Sequence, residues 1–250
     1  MPIEFLAVLF FFIAAVYASV GFGGGSSYIA VLAVSGLAFQ DIRVIALVCN
    51  ILVVLGNTSL FYQNGWWSAK KYLPIVLAGV PLAFLGAATP IKESTFFILL
   101  AGCLLLAGWV LWFQPVGSRE SHHPDQHLHS IKSGCISGSI GYFSGLVGIG
   151  GGIFLSPVLH FLRWDHTRHI SVVASLFILF NSVAGLAGLV YKQQFNLRWD
   201  IGGWLFLAVI VGGQLGARSS LKWLSVNTVR KTTAVLVFIA GIELLLKHLN

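Results

Sequence analysis

Two stretches decide how this chain is read: Val20-Gly21-Phe22-Gly23-Gly24-Gly25-Ser26-Ser27 and Val147-Gly148-Ile149-Gly150-Gly151-Gly152-Ile153-Phe154. Each sets a glycine cluster into an otherwise apolar stretch. A shift of 127 residues lays Val20, Gly21, Gly23, Gly24, Gly25, Val31 and Leu32 onto Val147, Gly148, Gly150, Gly151, Gly152, Val158 and Leu159. Self-similarity at a fixed offset is the mark of an internal duplication.

The residues around the clusters set the solvent. With 57% apolar and 9% charged residues over 250 positions, the chain is an integral membrane protein rather than a water-soluble globule. Its apolar runs are close to the length that spans a hydrocarbon layer as a helix, so the expected fold is an all-α polytopic membrane protein of two homologous repeats. Trp66, Trp67, Trp112, Trp164, Trp199 and Trp223 fall near run ends, where an amphipathic ring sits at headgroup level. The net charge of +7 comes from fifteen Lys and Arg scattered among the loops, which is a topology signal and not a nucleic-acid surface. Cys49, Cys103 and Cys135 stand singly in apolar segments without metal or disulfide spacing and read as small buried hydrophobes.

In chain order, residues 3–20 are apolar but carry Glu4 and no basic residue, unlike a secretory leader, and are expected to be retained. A half-length piece, 26–36, follows the first glycines, and further runs end near Tyr62, Ala88 and Phe113. Residues 1–113 form the first repeat, 114–130 a linker rich in proline, histidine and charge, and 131–250 the second repeat. In the second repeat the runs are 131–147, a half-length 153–162, 168–191, 199–217 and 229–247. Asn50 with Asn181, Trp67 with Trp199, and Leu85-Gly86-Ala87 with Leu215-Gly216-Ala217 also correspond, at shifts of 130 to 132, so a few residues are inserted between the copies.

The orientation of the copies depends on how each glycine unit crosses. As single broken spans, the units give parallel copies, with eight basic residues on one side and seven on the other. As re-entrant hairpins they give inverted copies, with ten against five. The positive-inside bias favours the inverted arrangement, the 114–130 linker in the cytoplasm and both termini outside a bacterial inner membrane.

A helix that starts just after a glycine cluster presents free amide groups and the positive end of its dipole, which is an anion site. In inverted copies the two starts, Gly23, Gly24, Gly25, Ser26 and Ser27 in one and Gly150, Gly151, Gly152 and Ile153 in the other, face each other near the midplane. Close helix packing is the alternative use of the glycines. Asn50, Ser175, Asn181 and Ser182 add buried uncharged groups suited to an anion, with interhelical hydrogen bonding as the alternative role. Asn57 lies one face-repeat beyond Asn50 and reads as interhelical. Arg43 and Arg168 precede their helices and are candidates for a vestibule that attracts the anion, or for interfacial anchors.

These residues resemble the sulfite exporter TauE/SafE family of small bacterial membrane transporters. The resemblance rests on Gly21-Phe22-Gly23-Gly24-Gly25, on Gly148-Ile149-Gly150-Gly151-Gly152 with Pro157, on the Asn181-Ser182 helix and on the Leu-Gly-Ala repeats, and it covers essentially the whole chain. Ala30 stands in the first copy where Pro157 stands in the second, so the first half-helix is expected to begin or bend differently. The resemblance implies movement of sulfite or organosulfonates such as sulfoacetate, commonly as export.

Other candidates compete for a role. The histidines of the linker, His122, His123, His127 and His129, offer a metal or pH-sensing site, or simply a solvated loop. His166 and His169 share a spacing of three and suit an interface. Glu243, deep in the last run, is a candidate for proton coupling. No phosphate-binding loop or catalytic triad pattern is present, so the chain reads as no enzyme and needs no cofactor. The leading expectation is a secondary anion transporter coupled to a proton or sodium ion, with a homodimer as an allowed assembly. A passive anion channel and a metal-dependent membrane enzyme are the alternatives.

Overall fold

The computed structural model describes residues 2–113, 130–162 and 164–219, and then 231, 234, 235, 238, 239, 241, 242 and 244–246. Within these the chain is helical, in the order α1 (Ile3–Ser19), α2 (Gly25–Val34), α3 (Phe39–Gln63), α4 (Ala69–Ala88), α5 (Glu93–Phe113), α6 (Ser130–Val147), α7 (Gly152–Phe161), α8 (Thr167–Tyr191) and α9 (Trp199–Ser219). Helices α3, α4, α5, α8 and α9 are long and apolar enough to cross a membrane, and the protein is a multi-pass membrane protein.

Local chemistry explains where the short helices start. Gly24 and Gly151 hold φ of 90° and 80° as the N-caps of α2 and α7, a conformation that any side chain would strain. Both half-helices then run ten residues. Ala30 and Pro157 therefore do not produce the different starts expected from the sequence, because the left-handed glycine ahead of each helix sets its first turn.

Contacts give the helices their directions. Leu47 of α3 lies over Gly185 of α8, and Val44 shares a cluster with Leu189, whereas Phe61 and Ser171 meet at Gly21. Numbers rise along α3 as they fall along α8, so these two helices are antiparallel. Gly138, Gly141 and Gly145 of α6 pack on the backbone of Ala78, Gly79 and Ala83 of α4, and Gly212 and Gly216 of α9 pack on Phe11 and Ala15 of α1. In both of these pairs the numbers rise together, so α4 runs parallel to α6 and α1 parallel to α9. The α4/α6 seam is close enough that a Cβ at Gly86 would overlap the carbonyl of Tyr142, and a Cβ at Gly216 would overlap that of Ala15. Small residues of this kind let helix backbones approach within a membrane. On the outside, α5 carries Gly108 against Ala234 and Phe238.

Helices α3 and α8 have the same length, 25 residues, so one offset of 128 relates both their starts and their ends. The offset corrects one sequence correspondence. Asn50 matches Ile178 and not Asn181: Asn50 stands against Gly25, and Ile178 stands against Gly152. Trp164 lies between α7 and α8, near a run end as expected, but not on the outer surface. It is buried beside Tyr72, in a cluster with Leu159, Val173 and Phe177. Cys49 is buried as expected, whereas Cys135 is exposed. The outer faces carry Phe5, Phe12, Leu77, Trp109, Leu207 and Val211 exposed, as suits contact with lipid acyl chains.

Candidate functional site

The two glycine-broken hairpins, α1–α2 and α6–α7, meet in the middle of the molecule with Asn50 between them. Asn50 is fully buried on α3 and donates its Nδ2 to the Ile149 carbonyl over 3.0 Å. A Cβ at Gly23 or Gly25 would overlap the Asn50 side chain, and one at Gly150 would stand 2.9 Å from its Nδ2. The same Cβ at Gly25 would lie 2.6 Å from the Ile149 carbonyl oxygen, so the two hairpin tips touch directly. Both half-helices thus begin at mid-depth of α3 and α8, where Gly25 meets Asn50 and Gly152 meets Ile178.

The two tips differ in how their polar groups are satisfied. At the first, the Tyr17 hydroxyl reaches Ser27 Oγ at 2.8 Å and Ser26 Oγ at 3.3 Å, and Ser175 donates to the Gly21 carbonyl. Asn57 donates to the Phe22 carbonyl at 3.5 Å, in keeping with its structural reading. At the second, Ser144 Oγ, Ser182 Oγ and both amide atoms of Asn181 are buried without a hydrogen-bond partner among the described residues, as are Asn50 Oδ1 and the Tyr28 hydroxyl beside the first. Ser144 Oγ lies 3.0 Å from where a Cβ of Gly151 would stand, and Ser182 Oγ 3.0 Å from one at Gly150. Asn181 points toward Gly79 of α4, beside Phe177, which also contacts Gly151. Ile153 is buried in the main apolar cluster and brings only its backbone to the site.

An unsatisfied buried polar group costs about 1–3 kcal/mol, which makes a cluster of them a candidate place for a polar ligand or ordered water to bond. Those of Ser144, Asn181 and Ser182 lie about the N-terminal start of α7, where the backbone amides and the dipole favour negative charge. No described acidic side chain is among them. The chemistry fits a small oxyanion held by neutral donors, with one or two acceptor atoms available for a hydroxyl or a bound proton.

Ser144 was not legible as a site residue. It occupies in α6 the place of Tyr17 in α1, 127 residues earlier, one turn ahead of the glycines. The signal was the exchange of a tyrosine for a small hydroxyl there, which removes the group that would cover the half-helix start.

Arg43 and Arg168, alike in sequence, are placed differently. Arg43 is fully buried and donates through one guanidinium nitrogen to the carbonyls of Ala87 and Gly145, each at 3.2 Å. Its place is the junction of the C-terminal ends of α4 and α6, whose carbonyls attract a cation. It is not at an open vestibule. Arg168 lies exposed with its guanidinium 4.2 Å from the Trp66 ring and lines a cavity of about 410 Å³ with Ala18, Gly21, Asn57, Ser171 and Arg218. That cavity lies at the opposite end of α3 from Arg43.

A second polar cluster flanks the cavity. The Tyr72 hydroxyl donates to the Trp66 carbonyl at 3.0 Å and lies 2.5 Å from His169 Nδ1, so the imidazole nitrogen supplies the proton for that second contact. Asp165, in the loop before α8, pairs with Lys71. Partial burial pushes its carboxyl upward, but bonds from Lys71 and from the His166 backbone N–H, with the nearby His169 and Lys71 charges, hold it below the ordinary carboxylate range. A depressed folded value means stability that is present above the unfolded value near 4 and is lost as pH falls through the folded one. Thermal unfolding in detergent should therefore show a loss of midpoint below about pH 4 that is smaller in Asp165→Asn. At pH 7 the same substitution should cost less than about 1 kcal/mol, because Lys71 is 39% exposed. An equal acid loss in both proteins would reject this role. His166 is exposed and stacks loosely near His169.

Glu243 and the linker histidines His122, His123, His127 and His129 lie outside the described residues. Among the described residues, no group of three or more His, Cys, Asp and Glu could hold a metal ion.

The profile of the family described as sulfite exporter TauE/SafE matches residues 6–244. A probable membrane transporter protein of Sinorhizobium fredii is 31% identical over 245 residues, covering 96% of this chain and 97% of that protein. A probable membrane transporter protein of Xylella fastidiosa is 27% identical over 154 residues, covering 60% of this chain and 58% of that protein. No solved structure matches the chain.

Proposed function

This chain belongs to the sulfite exporter TauE/SafE family, and from that premise we propose that it is a secondary transporter of a small sulfur-containing oxyanion, sulfite or an organosulfonate such as sulfoacetate. The observation that carries the reading is the set of unpartnered buried polar atoms of Ser144, Asn181 and Ser182 about the start of α7, with Asn50 Oδ1 facing the neighbouring tip. Neutral donors at a half-helix N-terminus suit an anion that must bind and leave again, because a fixed cation in the site would hold it more strongly.

Transport is by alternating access between two repeats, 1–113 and 131–250, in inverted orientation, joined by the 114–130 linker. The antiparallel course of the equivalent helices α3 and α8 supports inversion, since parallel copies would place them parallel. The exchange of partners, α1 with α9 and α6 with α4, supports a two-fold relation of the copies. The positive-inside rule places the end that carries Lys70, Lys71, Arg168 and Arg218 in the cytoplasm of the bacterial inner membrane, with export as the direction of net movement.

The test is uptake of labelled sulfite, sulfoacetate, thiosulfate and sulfate into proteoliposomes, with and without a pH or sodium gradient. Saturable, gradient-stimulated uptake of one of these is the expected result. Flux that does not saturate would replace the transporter with a channel, and no uptake by folded protein would reject the substrate class. Ser144→Ala and Asn181→Ala should each raise the KM for the transported anion by roughly tenfold, the worth of one hydrogen bond to a charged group. An unchanged KM in both would remove the α7 site.

A further inference from the structure

Arg43 and the cavity beside Ser171 occupy corresponding places in the two halves. The offset of 128 that relates α3 to α8 lays Arg43 on Ser171. Gly148 packs on the Arg43 side chain as Gly21 packs on Ser171. Arg43 bonds to Ala87 and Gly145, at the C-terminal ends of the parallel pair α4 and α6. The counterparts of these residues are Ala217 and Ala18, at the C-terminal ends of the parallel pair α1 and α9, and both line the cavity. The guanidinium thus fills at one end the space that stands open at the other.

From this we propose that Arg43 is the gating residue of its end of the molecule, a plug that closes the path to the central site by tying α4 to α6, and that the described state is closed there and open at the Ser171 end. The proposal rests on the transport reading for what passes the gate, but the gate itself is a statement about access. The physical basis is the burial of an unneutralised charge. Among the described residues Arg43 has no carboxylate partner, its Nε has no hydrogen-bond partner, and two carbonyl dipoles hold it. A guanidinium so held inside the protein is costly to bury, so the closed state is stabilised by few bonds and is released when they are exchanged for water or for an anion. A serine at the corresponding place of the other half spans neither gap, and that end stays open.

The experiment reads access by labelling, in lipid nanodiscs that expose both ends to a charged maleimide, after Cys49, Cys103 and Cys135 are replaced. Ala87→Cys, fully buried beside Arg43, should label slowly, and adding Arg43→Ser should speed its labelling by about tenfold or more, the scale of a modest shift between two states. Ala217→Cys, on the cavity wall, should label fast, and adding Ser171→Arg should slow it by a similar factor. Unchanged labelling of Ala87→Cys in folded Arg43→Ser protein would overturn the proposal. If Arg43→Ser does not fold, the Ser171→Arg arm decides, and unchanged labelling of Ala217→Cys overturns it. Uptake is measured on the same variants. Labelling that moves as expected without uptake of any sulfur oxyanion would overturn the transport reading and leave the gate standing, whereas saturable uptake with unmoved labelling would do the reverse.

Discussion

Gly25→Ala is expected to cut anion uptake by about two orders of magnitude while leaving the protein folded and inserted, since misplacing a binding constellation by an ångström has effects of that size. Gly25 is helical and pays no backbone penalty for a side chain, so the added methyl acts through its contacts alone. It would overlap the Asn50 amide and stand 2.6 Å from the Ile149 carbonyl oxygen. Something must shift, and what shifts is the seam between the two hairpin tips together with the Asn50 to Ile149 bond. Overpacking of this kind costs about 1–3 kcal/mol, which a folded membrane bundle can absorb but a site built from that seam cannot. Gly102→Ala is the matched control. No atom lies within 4 Å of its Cβ position in α5, so the control should transport normally and gain about 0.5–1 kcal/mol from helix propensity. Uptake by Gly25→Ala equal to that of Gly102→Ala would show that the tips do not meet as described.

Gly86→Val is the substitution expected to damage the fold most. A side chain at Gly86 runs into the Tyr142 carbonyl, and the facing Gly145 is pressed as closely on Ala83. Both obstacles are helix backbone, which cannot turn aside as a side chain can, so α4 and α6 must separate along their length. The expected cost is about 3 kcal/mol or more, at the upper end for single substitutions, read as a lowered thermal midpoint and a loss of monodisperse protein in detergent. Gly216→Val should do the same at the α1/α9 seam, where Ala15 takes the place of Tyr142. An unshifted midpoint in either variant would mean that the seam is wider than the contacts indicate.

Much of the architecture was legible because it is written in local chemistry. The lengths of the apolar runs gave the helices to within a few residues, since a span must satisfy its own backbone in lipid. The glycine clusters marked the two broken helices, since only glycine takes the left-handed caps at Gly24 and Gly151. Gly23, Gly25 and Gly150 pack against the Asn50 side chain, so the two clusters meet there.

Other readings failed where residue type was a poor guide to place. Asn50 and Asn181 look like equivalents because both are asparagines, yet equal helix lengths pair Asn50 with Ile178. Asn181 turns toward α4 instead, about 100° around the helix from Ser182. Arg43 and Arg168 both precede a run, and the sequence treats them alike. One is nevertheless buried at the meeting of two helix C-termini, while the other lies on a tryptophan at a cavity mouth. Trp164 is buried against Tyr72, a partner from α4, which is distant in the chain.

The amino-acid order alone thus determined the solvent of this protein, its helices and the two points where helices break, because each of these follows from backbone satisfaction and from conformations open to few residues. Which polar groups are left without partners, and which end is shut, was decided only when helices far apart in sequence came together. Ser144 became a site residue because no tyrosine covers the start of α7, and Arg43 became a plug because α4 and α6 end side by side around it. Those outcomes depend on what stands opposite each side chain, and no property of the residue itself carries that information.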